Sequence, residues 1–348
     1  MGPGGSALAN GSAAVTRKLR DVLAETGYDG GVSSAPSILI GGKYRTVRVV
    51  GEGAMGVVFE AIDPAGQAVA VKTLVRTDPE GLARFAREVS VCARIAHPNV
   101  MPVFDHGFDA ELDAPYFAMP LLRGGDLAVH LAHNGALPVD VAVPLIIQAC
   151  EGVAAAHQAG VIHRDIKPSN LILDDVDGRY VLRVADFGLA RTENLEGNLT
   201  RSGVLMGTPR YISPEQSQNP KATDARTDVW ALGMVLYHML AGTPAFGTAG
   251  AFMAFLVQKK ELAPIQQVAP WVPGPVARVL HAALLRDVEA RIPMVAELIL
   301  GLEMVVGYDM AHRALGPSDL AQGISAEARA VVAPRVALPY HWEELLRS

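Results

Sequence analysis

The polar chemistry of the chain concentrates in two short stretches, Val161-Ile162-His163-Arg164-Asp165-Ile166-Lys167-Pro168-Ser169-Asn170 and Val184-Ala185-Asp186-Phe187-Gly188. Either aspartate taken alone reads equally as a loop cap that accepts backbone N–H groups. Their order and spacing, with a lysine and a carboxamide between them, argue for a joint task. Far upstream, Gly51-Glu52-Gly53-Ala54-Met55-Gly56-Val57-Val58 places three glycines in a turn between two β-like runs. Such a turn lets backbone approach a polyphosphate with no side chain in the way. By itself it is equally a glycine hairpin without a ligand; a dinucleotide fingerprint would need a helix next, and here a strand follows. Ala68-Val69-Ala70-Val71-Lys72 then ends an apolar strand on a lysine, whose burial calls for a partner anion. Glu88 can be that anion, because it shares one helical face with Phe85, Val89 and Cys92. The other reading has Lys72 snorkelling to water and Glu88 solvated at the edge of the stripe.

Hydrophobic patterning supplies the frame for these groups. Short β-like runs at 46–50, 56–61 and 68–74, joined by Gly, Asp and Pro turns, predict an antiparallel sheet. The spacing then predicts a helix with Asp78 as N-cap and Pro79 and Glu80 in its first turn, running to about residue 95 and closed by His97-Pro98-Asn99. Two more strands are expected near 101–104 and 116–119. After Gly124-Gly125 the pattern becomes mainly helical, with amphipathic segments near 139–159, 227–241, 250–260, 274–285 and 295–306. The polar stretches fall in a strand-and-loop region, 161–213, between the first two of these. Residues 1–42 form a Gly, Ala and Ser-rich leader with one amphipathic stretch at 15–25, and 306–348 is a C-terminal extension, helical or irregular.

With 348 residues, half of them hydrophobic, the chain can bury a sizeable core. A net charge of −6 without a basic stripe argues against nucleic acid as a partner. The longest apolar stretch, 141–156, is interrupted by Pro144, Gln148 and Glu151, so no membrane insertion is expected. Cys92 and Cys150 lack metal-type spacing, and two cysteines support no disulfide framework, which fits a reducing, cytoplasmic setting.

The ordered set of Gly51-to-Val58, Lys72, Glu88, the His163-Arg164-Asp165 loop and Asp186-Phe187-Gly188 resembles the eukaryotic-type (Hanks-type) protein kinases, in particular their bacterial serine/threonine branch. The resemblance covers about 43–305. It implies an α+β, two-lobed fold: a small antiparallel β-sheet lobe with one main helix, about 43–121, and a larger, mainly helical lobe, about 122–305. It implies ATP as phosphate donor, with Mg²⁺, or Mn²⁺ in its place, as the metal. Asp165 then orients the substrate hydroxyl and accepts its proton, and Asn170 and Asp186 are metal ligands. Lys167 resembles the lysine of serine/threonine-specific members that contacts the γ-phosphate, and Lys72 with Glu88 completes the catalytic set. ATP would lie against Val50, Gly51, Glu52, Gly53, Ala54, Met55, Gly56, Val58, Ala70, Lys72, Met119, Pro120 and Leu122. Of these, Met119 stands at the gatekeeper position, Leu122 offers backbone hydrogen bonds, and Pro120 departs from the usual polar residue. His163 and Phe187 belong, by the same resemblance, to a packing stack that links the lobes, with Cys92 continuing it.

Gly207-Thr208-Pro209-Arg210-Tyr211-Ile212-Ser213-Pro214-Glu215 resembles the substrate-positioning loop, with Thr208 in the positioning role and Ser213 in place of the commoner alanine. Glu215 is expected to pair with Arg291, and Asp228 to hold the catalytic-loop backbone. Thr200 and Ser202 are the candidate autophosphorylation sites in a polar segment, and Arg164 is the cation on which such a phosphate would dock. The partners implied are ATP and protein substrates with Ser or Thr acceptors, and a homodimer would serve trans-autophosphorylation. No sensor domain or membrane helix is expected beyond the kinase domain, so input would come from another protein, with 15–25 and the C-terminal extension as candidate docking segments. Two rivals stand against an active protein kinase. A nucleotide-binding pseudokinase scaffold is opposed by the full set Lys72, Glu88, Asp165, Asn170 and Asp186. A small-molecule phosphotransferase is opposed by the polypeptide-docking segment from Gly207 to Glu215.

Overall fold

The computed structural model describes residues 38–53, 56–74, 86, 89–187, 210–219, 223–246, 257, 261–321 and 323–324, which fall into two compact units. The first unit, continued by 101–121, is built on six antiparallel strands: β1 (Leu39–Ile40), β2 (Tyr44–Gly53), β3 (Gly56–Ile62), β4 (Ala68–Leu74), β5 (Asp105–Asp109) and β6 (Ala114–Pro120). Their order in the sheet is β1-β2-β3-β4-β6-β5. Strand alternation sends Val57, Phe59 and Ala61 of β3, Val69 and Val71 of β4, and Tyr116 and Ala118 of β6 into one core with Ile40, Tyr44, Val49 and Leu112. Register partners Val58 and Lys72, and Ala70 and Met119, therefore share the opposite face.

Two features of this unit differ from the sequence reading. The strand expected near 101–104 begins instead at Asp105, because Pro102 cannot donate to a ladder and the polar ends of β5 hid a real strand. The sheet also starts inside the segment assigned to the leader: Leu39 and Ile40 pair with Arg45 and Tyr44. That turn is fastened to β5, on the other edge of the sheet order. Gly41 N–H donates to Asp109 Oδ2 at 2.6 Å, the Tyr44 hydroxyl donates to Asp105 Oδ2 at 2.7 Å, and Lys43 Nζ lies 2.7 Å from the same oxygen. Gly41 has φ +59°, and a Cβ there would run into the Tyr116 ring, so the turn requires glycine.

The second unit comprises 97–100 and the chain from Leu122 onward. Among its described residues the α-helices are α1 (Leu127–Asn134), α2 (Val139–Gln158), α3 (Pro214–Gln218), α4 (Arg226–Ala241), α5 (Ile265–Val268), α6 (Gly274–Ala283), α7 (Val295–Val306), α8 (Tyr308–Ala311) and α9 (Pro317–Ala321). A hairpin, β7 (Leu171–Val176) and β8 (Arg179–Val184), turns through Asp177-Gly178, both at positive φ as a two-residue hairpin turn demands. Helix α1 was not singled out from sequence, although Asp126 caps it by accepting from Val129 N–H at 3.0 Å and Gly135 ends it at φ +69°. The spine of the unit is α2, which packs against α4, α7 and β8. It is long and apolar enough to cross a membrane by length and composition, but 67% of its apolar window is buried within the protein, as befits a core helix. Gly152 lets α2 approach the backbone of residue 99, where a Cβ would meet the Asn99 carbonyl.

Candidate active site

The loop that follows α2 is fixed by one buried carboxylate. Asp228, in the first turn of α4, is fully buried and accepts three hydrogen bonds: from His163 N–H at 2.8 Å, Arg164 N–H at 2.8 Å and His157 Nε2 at 2.7 Å. Arg164 carries φ +62°, a conformation that costs a non-glycine residue about 1–2 kcal/mol. Its N–H is held by Asp228 and its carbonyl accepts from Gln216 Nε2 at 2.8 Å, so the surroundings over-determine the strained residue. The next residue is Asp165, delivered with its backbone already set. Asp228 has this place by geometry; His157 and Gln216 were missed from sequence. A histidine near the end of an otherwise apolar helix was the available signal for the first.

His163 is fully buried, and its two ring nitrogens have different partners. Nε2 donates to the Ala185 carbonyl at 3.0 Å, and Nδ1 accepts from Asp165 N–H at 3.2 Å, which sets the tautomer. The ring lies 4.7 Å from that of Phe187, so one imidazole ties the Asp165 loop to the strand end that carries Asp186. Asp186 itself has φ +59°.

Two candidate residues converge on Asp165. Lys167 Nζ lies 2.9 Å from Asp165 Oδ2, and Asn170 Nδ2 donates to the Asp165 carbonyl at 2.8 Å, with a longer 3.4 Å approach to Oδ2. The Asn170 amide nitrogen is thus committed to the loop. Ala185 N–H donates to the Asn170 carbonyl at 2.8 Å, which anchors the residue before Asp186 to the same loop.

In the sheet unit the glycine segment forms the end of one hairpin: Val50, Gly51, Glu52 and Gly53 lie at the end of β2, and Gly56 and Val58 in β3, with Gly53 opposite Gly56. Gly56 has φ +152°, and a Cβ there would strike the Thr73 carbonyl oxygen. Lys72 is 8% exposed and shares a sheet face with Val58, Ala70 and Met119. Pro120 ends β6 opposite Val69, and Leu122 belongs to the second unit. Ala54, Met55, Glu88, Thr200, Ser202 and Thr208 lie outside the described residues.

The stretch from Arg210 to α3 is held from behind. Glu215 meets Arg291 in a bidentate pair, Nη1 to Oε1 at 2.7 Å and Nη2 to Oε2 at 2.9 Å. Arg291 is 1% exposed, also donates to the carbonyls of Leu285 and Arg226, and lies 5.1 Å from the Trp230 ring centroid. Burial pushes the Glu215 carboxyl up, but the Arg291 hydrogen bonds and charge outweigh it and hold the group below its ordinary value. Ser213 is more than a stand-in for alanine: its hydroxyl caps α3 by accepting from Gln216 N–H at 3.2 Å and lies 2.6 Å from Thr227 Oγ1.

The protein kinase domain family matches residues 44–294. The chain belongs to the protein kinase family. Among curated relatives, this kinase domain is 36% identical over 260 residues to the DNA damage-responsive serine/threonine-protein kinase RqkA of Deinococcus radiodurans, covering 74% of this chain and 38% of the relative. It is 34% identical over 281 residues to the serine/threonine-protein kinase PkaA of Streptomyces coelicolor, covering 76% and 50%. The chain thus spans half or less of the length of these two relatives. Among solved structures, the PknI kinase domain of Mycobacterium tuberculosis superposes with a TM-score of 0.62 at 27% identity, covering 78% of this chain and 98% of that one. The fold is that of the family, an antiparallel-sheet unit and a mainly helical unit.

Kinases of this family act on ATP with a divalent metal. Among the described residues no group of three or more His, Cys, Asp or Glu could hold an ion alone. A carboxamide oxygen on Asn170 and a carboxylate on Asp186 fit instead a hard cation that draws its remaining ligands from phosphates and water.

Proposed function

We propose that this chain is an active serine/threonine protein kinase that transfers the γ-phosphate of ATP to Ser or Thr hydroxyls of protein substrates. The observation that carries this reading is the Asp165 loop: a carboxylate approached by Lys167 and Asn170, on a backbone fastened to the buried Asp228. Asp165 orients the incoming hydroxyl in line with the γ-phosphorus and accepts its proton. Lys167 moves from Asp165 towards the transferring group and spreads its developing charge. Lys72 and the backbone of residues 50–58 hold the ATP phosphates, while Ala70, Met119, Pro120 and Leu122 line the adenine. Asn170 and Asp186 would hold Mg²⁺, or Mn²⁺ in its place, which when bound neutralises phosphate charge. Catalysis is therefore positioning and electrostatics, with no covalent enzyme intermediate.

Glu88 is assigned as the partner of Lys72, Thr208 as a substrate-positioning residue, and Thr200 or Ser202 as the site of autophosphorylation, read by Arg164 and reached in trans within a homodimer. A cytoplasmic setting is supported by two buried cysteines outside any disulfide, Cys92 and Cys150; burial pushes the Cys150 thiol well above its ordinary value. The test is transfer of labelled γ-phosphate to a generic basic protein, followed by phosphoamino-acid analysis. Phosphoserine or phosphothreonine is expected; phosphotyrosine alone, or no transfer by folded protein that binds ATP, overturns the reading.

A further inference from the structure

The backbone that leaves the proposed adenine-lining residue Leu122 runs through Gly124-Gly125. Glycine has the least rigidity of its own, so the path of this pair is set by what grips it. Leu173 N–H donates to the Gly125 carbonyl at 2.9 Å, and a Cβ at Gly124 would strike the Leu173 carbonyl oxygen, so the pair lies tight on β7. The Gly124 carbonyl meets His130 of α1, whose Nε2 lies 2.7 Å away. A carbonyl oxygen only accepts, so this ring nitrogen carries the hydrogen and donates. The half-buried His130 thus reaches back six positions to hold the first glycine, while β7 holds the second.

His130 is in turn backed by the C-terminal extension. Its ring meets the Tyr180 ring of β8 edge-on, with centroids 6.1 Å apart and planes at 69°, a contact that favours one orientation of the imidazole. Tyr180 N–H donates to the Leu315 carbonyl at 2.8 Å. Leu315 lies beyond the residues that the kinase family matches, yet it is only 1% exposed. At the next residue, Gly316, a Cβ would lie 2.9 Å from the Gly178 carbonyl oxygen, so the extension touches the hairpin at two points. Arg313 fastens it there: Nη1 donates to Asp319 Oδ1 at 3.0 Å and Nη2 to Asp140 Oδ2, in the first turn of α2, at 3.4 Å. A relay therefore runs from Leu315 through Tyr180 and His130 to Gly124. We propose that His130 is a positioning residue for nucleotide binding, and that the C-terminal extension acts on ATP affinity through Tyr180 and His130. His130 touches no substrate; it fixes the Gly124 carbonyl and with it the backbone of Leu122, no more than about 7 Å away along the chain. This assignment rests on the protein kinase reading given above.

The experiment compares the full chain with His130→Ala, His130→Gln, Gly316→Ala and the double variant His130→Ala/Gly316→Ala. Calorimetric titration with Mg·ADP gives the Kd, and peptide phosphorylation gives KM for ATP, KM for peptide and kcat. His130→Ala should raise the Kd and the KM for ATP by about three- to tenfold, the weight of one lost hydrogen bond, while the KM for peptide stays within about twofold. His130→Gln, which keeps a side-chain donor, should recover most of that loss. Gly316→Ala wedges the extension off the hairpin turn and should raise the KM for ATP about twofold, but add nothing in the His130→Ala background, because both changes act on one relay. A lower melting temperature in His130→Ala with an unchanged Kd for Mg·ADP, or equal losses towards ATP and peptide, overturns the positioning role. Effects of Gly316→Ala and His130→Ala that multiply independently overturn the link to the extension. Should His130→Ala fail to fold, His130→Gln and Gly316→Ala decide in its place: nucleotide affinity unchanged in Gly316→Ala and lost in His130→Gln only in step with stability overturns the assignment. A folded wild type that neither binds Mg·ADP nor phosphorylates a peptide overturns the kinase reading, and this assignment with it.

Discussion

Asp228→Asn isolates the group that fixes the Asp165 loop, because it changes charge and one acceptor without changing shape. Asp228 is fully buried and serves His163 N–H and His157 Nε2 through Oδ2 and Arg164 N–H through Oδ1. An asparagine placed with its oxygen at Oδ2 keeps two donors, and its NH2 then faces the Arg164 N–H. Leaving that buried N–H unpaired costs about 1–3 kcal/mol, and the two remaining bonds weaken by about 0.5–1 kcal/mol each once the acceptor is neutral. The opposite flip strands two donors and costs more. The expected loss is about 2–5 kcal/mol, a large part of the roughly 5–15 kcal/mol that holds a domain folded. Activity should fall further than stability alone explains, because Arg164 at φ +62° is no longer held and Asp165 shifts with it. A misplacement of about 1 Å is worth roughly a hundredfold in rate. Urea unfolding reads the first quantity, and labelled-phosphate transfer at a temperature where the variant stays folded reads the second. A variant within about 0.5 kcal/mol and twofold of wild type would refute the claim that Asp228 organises the loop.

Other outcomes follow from the same structure. Burial holds His238 and His281 down at about 4 against an ordinary 6.5, with Arg210 adding to the effect at His238. The unfolded chain therefore binds more protons below about pH 6.5, and stability should fall as pH drops through that value and level off near pH 4, by about 2 kcal/mol per histidine between pH 7 and pH 5. A flat stability profile over that window in urea titrations contradicts the assignment. Gly152→Ala should destabilise by about 1–3 kcal/mol despite the better helix propensity of alanine, because its Cβ meets the Asn99 carbonyl; a raised melting temperature would contradict the close approach. Arg291→Met should cost about 3–5 kcal/mol by leaving Glu215 unpaired, and adding Glu215→Gln should recover part of that loss in a double-mutant cycle.

Much of the site could be read from the sequence because it is local. The residues around Asp165 are separated by only a few positions, and a lysine closing an apolar strand marks itself. The sheet was legible where apolar and polar residues alternate, as in β3 and β4, and failed at β5, whose ends are aspartates spent on fastening Gly41, Lys43 and Tyr44. The third donor to Asp228 was illegible for another reason. His157 and Asp228 are 71 positions apart, and only the packing of α2 against α4 brings them together. Ser213 looked like a small-residue exchange because the sequence does not show that its hydroxyl caps a helix and meets Thr227.

The central claim, that Asp165 drives phosphate transfer from ATP, is tested most directly by single-turnover transfer in wild type and Asp165→Asn, with ATP binding measured on the same samples. The account predicts ATP affinity within a few-fold of wild type and a transfer rate lower by at least about a hundredfold, the low end of what a positioned base contributes. Equal transfer rates in the two proteins would contradict it.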